Sequence, residues 1–318
     1  MLTPFPKILW LTDPWDTLAH DQDTTLRLIQ EALKMGFGTY WSSSDFVLNT
    51  NDLNSVRVVP LTELHFNPTA EPEPRVEMKL SEFDQIHYRL DPPVDFNYIS
   101  LLDSLVARSA HQIFSPPSII KSQSEKLPPA ALSHLVPTGY VIRGPDDVRP
   151  AFEKLSSMPK VVSKPLNQAQ SKGVAAWITP KSFSEWAELI SKITSAFQEP
   201  LLVQEYLPEV DLGEVRMWFA NGQFIAALKK YPKKGDFRVL IDEGSRVEAY
   251  TLNAVELENA KAVGKVLKMQ NVMLAAIDFI QGKISDYNIT SPGLLIQLEK
   301  VHGGKNFARM VLDQITRS

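Results

Sequence analysis

Apolar positions in the first third of the chain form short continuous runs separated by amphipathic stretches. KILWLTD (7–13) is the kind of run a buried strand needs, and helical spacing then fills roughly 23–35, closed by Gly36. GTYWSSSDFVL and SVRVVPL predict further strands, and DQIHYRLDPP predicts another that stops at a polar, proline-marked tip. The stretch 66–81, FNPTAEPEPRVEMKLS, predicts a loop. A helix follows over about 97–109, and QIFSPP closes the unit. Strands alternating with helices predict an α/β domain over residues 1–117, built on an open, mostly parallel sheet.

Beyond Pro117 the pattern changes. A helix-like stretch carries Lys126, TGYVI is a strand, 146–156 a helix, and KVVSKPL with GVAAWIT a hairpin. A helix over 181–196 starts at Ser182 or Ser184, residues that cap helix N-termini well. PLLVQEYL is the next strand, and EVRMWFANGQFIAALKKY is a hairpin around Asn221-Gly222, the pair a type I′ turn favours. A helix over 254–269, a hairpin over 275–293 and C-terminal helical segments complete the chain. Hairpins mixed with helices predict an α+β remainder. It divides into units 118–200 and 201–318 with a cleft between them.

Composition narrows the chemistry. Among 318 residues, 44% are hydrophobic and 22% charged, ordinary for a globular protein. The net charge of -4 leaves no footprint for nucleic acid. No cysteine is present, which excludes disulfides, thiolate catalysis and Cys-ligated metals. No apolar run approaches the roughly 18 residues that span a membrane. Asp13 and Asp16 come too early for a signal peptide, so a cytoplasmic location is expected. The six histidines are scattered, and the common phosphate-loop, dinucleotide and serine-hydrolase motifs are missing.

Candidate chemistry concentrates late in the chain. In AAIDFIQGKISDYNITSPG (275–293) a turn centred on Gly282 sets Asp278 roughly opposite Asp286, with Asn288 on the same face. Asp and Asn also suit solvated turns, but here the flanks are apolar, and buried polar groups need partners. Facing carboxylates repel unless a cation or proton lies between them, which is the geometry of a hard-metal site. Lys164 ends an apolar strand and can meet a phosphate as a point charge. Lys126, Arg216 beside Glu214, and the cations from Lys229 to Arg238 are further candidates, each equally at home on a solvated surface.

Read in order, SEKL, VVSKPL, LLVQEYLP, GEVRMWFANGQF, YPKKGDFR, AIDFI and DYNITSPG resemble the ATP-grasp ligases, most closely the prokaryotic glutathione synthetases. The RLDPP tip at 89–93 extends the resemblance over almost the whole chain. It implies α+β ATP-grasp domains after the α/β domain, with residues 118–200 as the small lid subdomain and 201–318 as the catalytic one. Lys126 and Lys164 match phosphate-binding lysines, and Gln204, Glu205, Tyr206 and Leu207 match the segment that reads adenine. Glu214 matches the acid near the ribose. Arg216 and Arg238 match arginines that steady the phosphoryl group and the bound acid, with Lys230 where a further arginine often sits. Asp278, Asp286 and Asn288 match ligands of Mg²⁺, with Mn²⁺ as the alternative ion. Ser291, Pro292 and Arg89 match substrate-side residues.

The implied reaction joins a γ-glutamyl-dipeptide-like acid to a glycine-like amine through an acyl phosphate, with release of ADP and phosphate. Related enzymes are often homo-oligomers, although no residue pattern here compels one. Three departures bear on activity, the first being that Asp286 stands where the longer glutamate is usual. The loop NQAQSKG (167–173) has Gly173 as its only glycine, where the family has a glycine-rich lid that needs φ > 0. Leu240 and Gly244-Ser245 stand where a polar residue and a Gly-Gly turn are usual. A protein that binds nucleotide or peptide with impaired chemistry, and a ligase acting on a protein or peptide terminus, remain alternatives.

Overall fold

The computed structural model describes residues 6–44, 52, 54–63, 72–73, 75–108, 112–113, 115–122, 124–195, 197–239 and 244–316. Its first sheet has the order β4 (Val76–Lys79), β3 (Ser55–Leu61), β2 (Gly38–Ser43), β1 (Lys7–Thr12), β5 (Gln85–Tyr88), β6 (Gln112–Ile113). β1 runs parallel to β2 and β5, and β5 to β6, while β3 and β4 extend the sheet antiparallel. The stretch 66–81 is therefore not all loop: the charged side chains of VEMK mask a strand pairing at the sheet edge, where polar side chains are normal. Helix α1 (Thr24–Lys34) starts on Asp23, whose carboxylate accepts from Leu26 N at 2.8 Å, and ends at Gly36 with φ 79°. Helix α2 (Phe96–Arg108) follows the polar tip.

Helix α3 (Pro117–Ser122) stops before Lys126, which lies in a turn closed by Leu127 N on Ser124 O. The helix-like reading of this stretch fails because Pro128 and Pro129 follow, and a residue before proline is pushed out of the helical region. Next comes a four-stranded antiparallel sheet, order β7 (Gly139–Ile142), β10 (Leu201–Glu205), β8 (Lys160–Pro165), β9 (Ala175–Ile178). By its pairing with β7 and β8, β10 carries this sheet past residue 200. Helices α4 (Val148–Leu155) and α5 (Phe183–Ile193) cover one face. Ser182 caps α5 in a box with Glu185.

The third sheet is also antiparallel, order β13 (Arg246–Tyr250), β12 (Gln223–Tyr231), β11 (Glu214–Ala220), β14 (Leu274–Ile280), β15 (Lys283–Asn288). One face packs on α6 (Ala254–Met269) through Met217, Phe219, Ile277 and Val263. The other is apolar at one end, where Trp218, Leu228 and Ala276 share a core with Trp10, Leu26, α7 (Leu295–Val301) and α8 (Phe307–Ile315). Further along the same strands this face turns charged.

Asn221 and Gly222 both take φ > 0, and Ala220 pairs with Gln223 across them, as the sequence predicts. This turn lies against α6 so tightly that a Cβ on Gly264 would sit 2.2 Å from Gly222 O. Gly264→Ala is expected to cost about 1–3 kcal/mol, since neither backbone can yield without repacking. An unchanged denaturation midpoint would contradict that close approach.

Candidate active site

Three neighbouring strands carry the charged patch. On β11, Glu214 and Arg216 share a face with Trp218; on β12, Lys230 follows Leu228; on β14, Asp278 follows Ala276. The register sets Glu214 opposite Lys230 and Arg216 opposite Asp278. Lys230 Nζ lies 2.7 Å from Glu214 Oε2 and 3.0 Å from Asp278 Oδ1. Arg216 grips Asp278 with two bonds, Nε to Oδ1 at 2.8 Å and Nη2 to Oδ2 at 2.6 Å.

The late hairpin turns on Gln281-Gly282, both at φ > 0, half a residue earlier than a turn centred on Gly282. Regular pairing from there would set Asp278 opposite Ser285 and leave Asp286 facing the core. A β-bulge intervenes: Phe279 pairs with Ile284, yet Asp278 pairs with Asp286, so Ser285 is the extra residue. Ser285 and Asp286 thus both face the cleft. The Ser285 hydroxyl donates to Glu214 and its carbonyl accepts from Lys164 Nζ at 2.8 Å. Ser285 was invisible in the sequence because a bulge breaks the alternation without a marker residue.

The small sheet faces this patch with Lys164 on β8, and the turn after α3 brings Lys126 to it as well. Lys126 Nζ is 3.0 Å and Lys164 Nζ 3.7 Å from Asp286 Oδ1. Four cations thus meet three carboxylates, an excess of positive charge suited to a polyphosphate. Burial pulls the Asp278 carboxyl up, but Arg216 and Lys230 overcome it and hold the group well below the usual carboxylate range. Burial likewise raises Asp286, and Lys126 and Lys164 bring it below its ordinary value. Lys164 goes the other way: burial, helped by Lys126, lowers it despite Asp286. Asn288 Nδ2 donates to Ala276 O at 2.9 Å and to Asp278 Oδ2 at 3.3 Å. Two carboxylates and a carboxamide fit a hard divalent ion that completes its shell with water and phosphate oxygens. Among the described residues no group of three or more His, Cys, Asp or Glu could hold a metal alone.

Gln204, Glu205, Tyr206 and Leu207 line the same cleft at the end of β10, with Phe237 against Tyr206 and Arg238 at the mouth. Arg238 Nη2 binds Asp236 at 2.8 Å. The Phe237 wall carried no separate signal beyond YPKKGDFR. Arg89, Ser291 and Pro292 are brought together away from this cleft. Arg89 Nη2 donates to Pro292 O at 3.1 Å, Nε to Thr25 Oγ1 at 3.1 Å, and Ser291 Oγ to Arg89 O at 3.4 Å. Arg89 Nη1 is buried with no partner among the described residues, an open donor for an anion. Arg216 Nη1 reaches the same segment through Gly293 O at 3.3 Å. Leu240 lies outside the described residues.

The glycine-poor loop takes the backbone that glycine would favour. Gln170 (φ 54°), Ser171 (φ 57°) and Gly173 (φ 71°) are all left-handed. The loop is tied to the tip of the first domain: Val94 N donates to Asn167 O at 3.1 Å, and Gln170 Nε2 to Asp91 Oδ2 at 3.4 Å. Left-handed backbone costs a residue with a Cβ about 1–2 kcal/mol, and glycine's unfolded freedom offsets roughly 0.5–1 kcal/mol of any relief. The pair Gln170→Gly and Ser171→Gly is therefore expected to stabilise the chain by about 1 kcal/mol. A lowered denaturant midpoint would count against these backbone angles.

Two antiparallel sheets gripping a cleft of cations and carboxylates define the ATP-grasp fold. Solved structures agree on the fold: D-cycloserine synthetase DcsG superposes with TM-score 0.66 at 15% identity, over 96% of this chain and 99% of that one. D-alanyl-alanine synthetase A from Vibrio cholerae O1 biovar eltor gives 0.62 at 15%, over 99% of each. Sequence models of the prokaryotic glutathione synthetase N-terminal domain and ATP-grasp domain match residues 7–120 and 125–303, and the chain belongs to that family. The glutathione synthetase of Prochlorococcus marinus (strain MIT 9313) is 27% identical over 93% of this chain and 94% of its own. That of Bradyrhizobium diazoefficiens is 27% identical over 95% of each. The chain is an ATP-dependent carboxylate–amine ligase that forms an amide bond. No helix among the described residues is long and apolar enough to cross a membrane.

Proposed function

We propose that the ligase activates a small carboxylic acid as an acyl phosphate and passes the acyl group to an amine. The acid's oxygen attacks the γ-phosphorus of ATP, the bond to the β–γ bridging oxygen breaks, and ADP leaves. The amine nitrogen then attacks the acyl carbon, phosphate departs, and the nitrogen loses a proton. Bringing an anionic acid to an anionic triphosphate is the main barrier, and fixed positive charge lowers it. Lys126 and Lys164 hold phosphate oxygens in this reading, while Arg216, Lys230 and Arg238 stabilise the transferred group. Gln204 to Leu207 bind adenine and Glu214 the ribose.

Arg89, with its open Nη1, takes a carboxylate of the acid substrate beside Ser291 and Pro292. Asp278, Asp286 and Asn288 would hold Mg²⁺, or Mn²⁺ in its place, which when bound neutralises the phosphate charge. The acid resembles a γ-glutamyl dipeptide, the amine is an amino acid or a relative of one, and the reaction draws on cytoplasmic ATP.

The observation that carries this reading is the pair Asp278 and Asp286, set on one rung and ringed by four cations. It is tested by ADP formation with Mg²⁺ and panels of acids and amines. Turnover is expected only when metal, acid and amine are all present. No ADP across γ-glutamylcysteine, related dipeptides and amines would sink it. The left-handed Gln170 and Ser171 favour a second reading, a nucleotide-binding protein with a stiff lid. Tight Mg-ATP binding with no ADP formed would select that one.

A further inference from the structure

A second cavity, of about 380 Å³, lies beside the cleft, between the tip of the first domain and the 167–173 loop. Its walls continue the segments that carry the cleft's charges. Glu125 precedes Lys126, Leu166 and Asn167 follow Lys164, and Thr290 comes two residues after Asn288. One wall is apolar, formed by Val94, Ile99, Ile120 and Leu166.

The opposite wall offers acceptors and few free donors. Glu125 is only 8% exposed. Its Oε1 accepts from Ile289 N at 2.9 Å, Thr290 N at 3.0 Å and Thr290 Oγ1 at 2.7 Å. Its Oε2 accepts no hydrogen bond among the described residues, although a carboxylate has room for about four donors over its two oxygens. Asn167 Oδ1 is likewise buried without a partner. The hydroxyls are spent, Ser124 on Leu166 O and Thr290 on Glu125. Lys121, the one cation on this wall among the described residues, is paired with Asp103. The cavity therefore asks for a ligand with N–H donors at one end and hydrocarbon at the other.

We propose that this cavity seats the amine substrate, and that this substrate is a primary amine bearing a branched aliphatic or aromatic side chain. The inference rests on the ligase reading above and departs from the glycine-like amine that the resemblance implies. Cavities of about 300–1,000 Å³ suit small organic ligands. Glycine would leave the Val94–Ile120 wall wet, whereas a leucine-sized side chain covers it and puts the amino group on Glu125 Oε2.

Calorimetric titration of the full chain with leucinamide, glycinamide and 4-methylpentanoate tests this, with Mg-ATP titrated in parallel. Leucinamide is expected to bind at least about tenfold more tightly than either of the others, since a few methylenes and a paired charge are each worth that much. Val94→Trp, which fills the cavity, should cut leucinamide affinity at least tenfold and leave Mg-ATP binding unchanged. Glu125→Gln adds no volume and should weaken leucinamide similarly, which keeps the test decisive if the tryptophan disturbs folding. Equal binding of glycinamide or 4-methylpentanoate, or full leucinamide affinity in both variants, would overturn the proposal. Mg-ATP binding without leucinamide binding overturns this inference alone. Leucinamide binding without Mg-ATP binding overturns the ligase reading and the substrate role with it.

Discussion

Asp278→Asn is expected to reduce ADP formation to background and to destabilise the chain by about 3–5 kcal/mol, the usual cost of stripping one partner from a buried ion pair. Asp278 is 1% exposed and satisfies both Arg216 and Lys230. An amide strips Arg216 of its counter-charge, leaves Lys230 with Glu214 alone, and offers a neutral oxygen to a divalent ion. The pH dependence should change with it. Folding holds the carboxyls of Asp278 and Asp286 below their ordinary value of 3.8, so their stabilisation is complete above that pH and is lost as pH falls through the folded values. Asp278→Asn should flatten that acid limb. Denaturant midpoints from pH 7 downward, with ADP assays alongside, measure both. A variant as stable as the parent would mean that Asp278 is not the hub of this cluster.

Lys164→Met should separate function from stability in the opposite sense. Burial depresses the ammonium, so the folded chain holds this charge at a cost. A methionine of similar length removes the cost, loses the bond to Ser285 O, and is expected to leave stability within about 1 kcal/mol of the parent. Turnover should nevertheless fall by roughly 10²–10³, the loss typical of removing one preorganised contact to developing charge. Lys126, only 3.0 Å from Asp286, stays to hold the carboxylate. A large loss of stability with turnover intact would reverse the assignment of Lys164 from phosphate contact to structural pair.

The elements most legible in the sequence were those whose pattern and punctuation agree. The turn at Asn221-Gly222, the cap at Ser182 and the buried run at 7–12 each combine a periodic signal with a residue that marks its end. The candidate site was legible through residue types that do not suit their neighbours: Lys164 after Val161–Ser163, and Asp278 inside LAAIDFI. What stayed hidden depends on long-range pairing. β4 and β13 are short, carry charged residues and form edges, so alternation alone cannot find them. The turn at Lys126 is fixed by prolines downstream, and the left-handed residues of the 167–173 loop follow from contacts with Asp91 and Val94 in another domain.

The extra residue in the late hairpin has a consequence for how such a site can be tuned. Removing Ser285 would leave the flanking rungs in step, with Asp278 still facing Asp286, because Phe279 and Ile284 already pair as in an uninterrupted ladder. Only the carbonyl that seats Lys164 and the hydroxyl on Glu214 would go. A change of one residue in strand length, with every charge kept, could thus loosen the lysine proposed to face the phosphates.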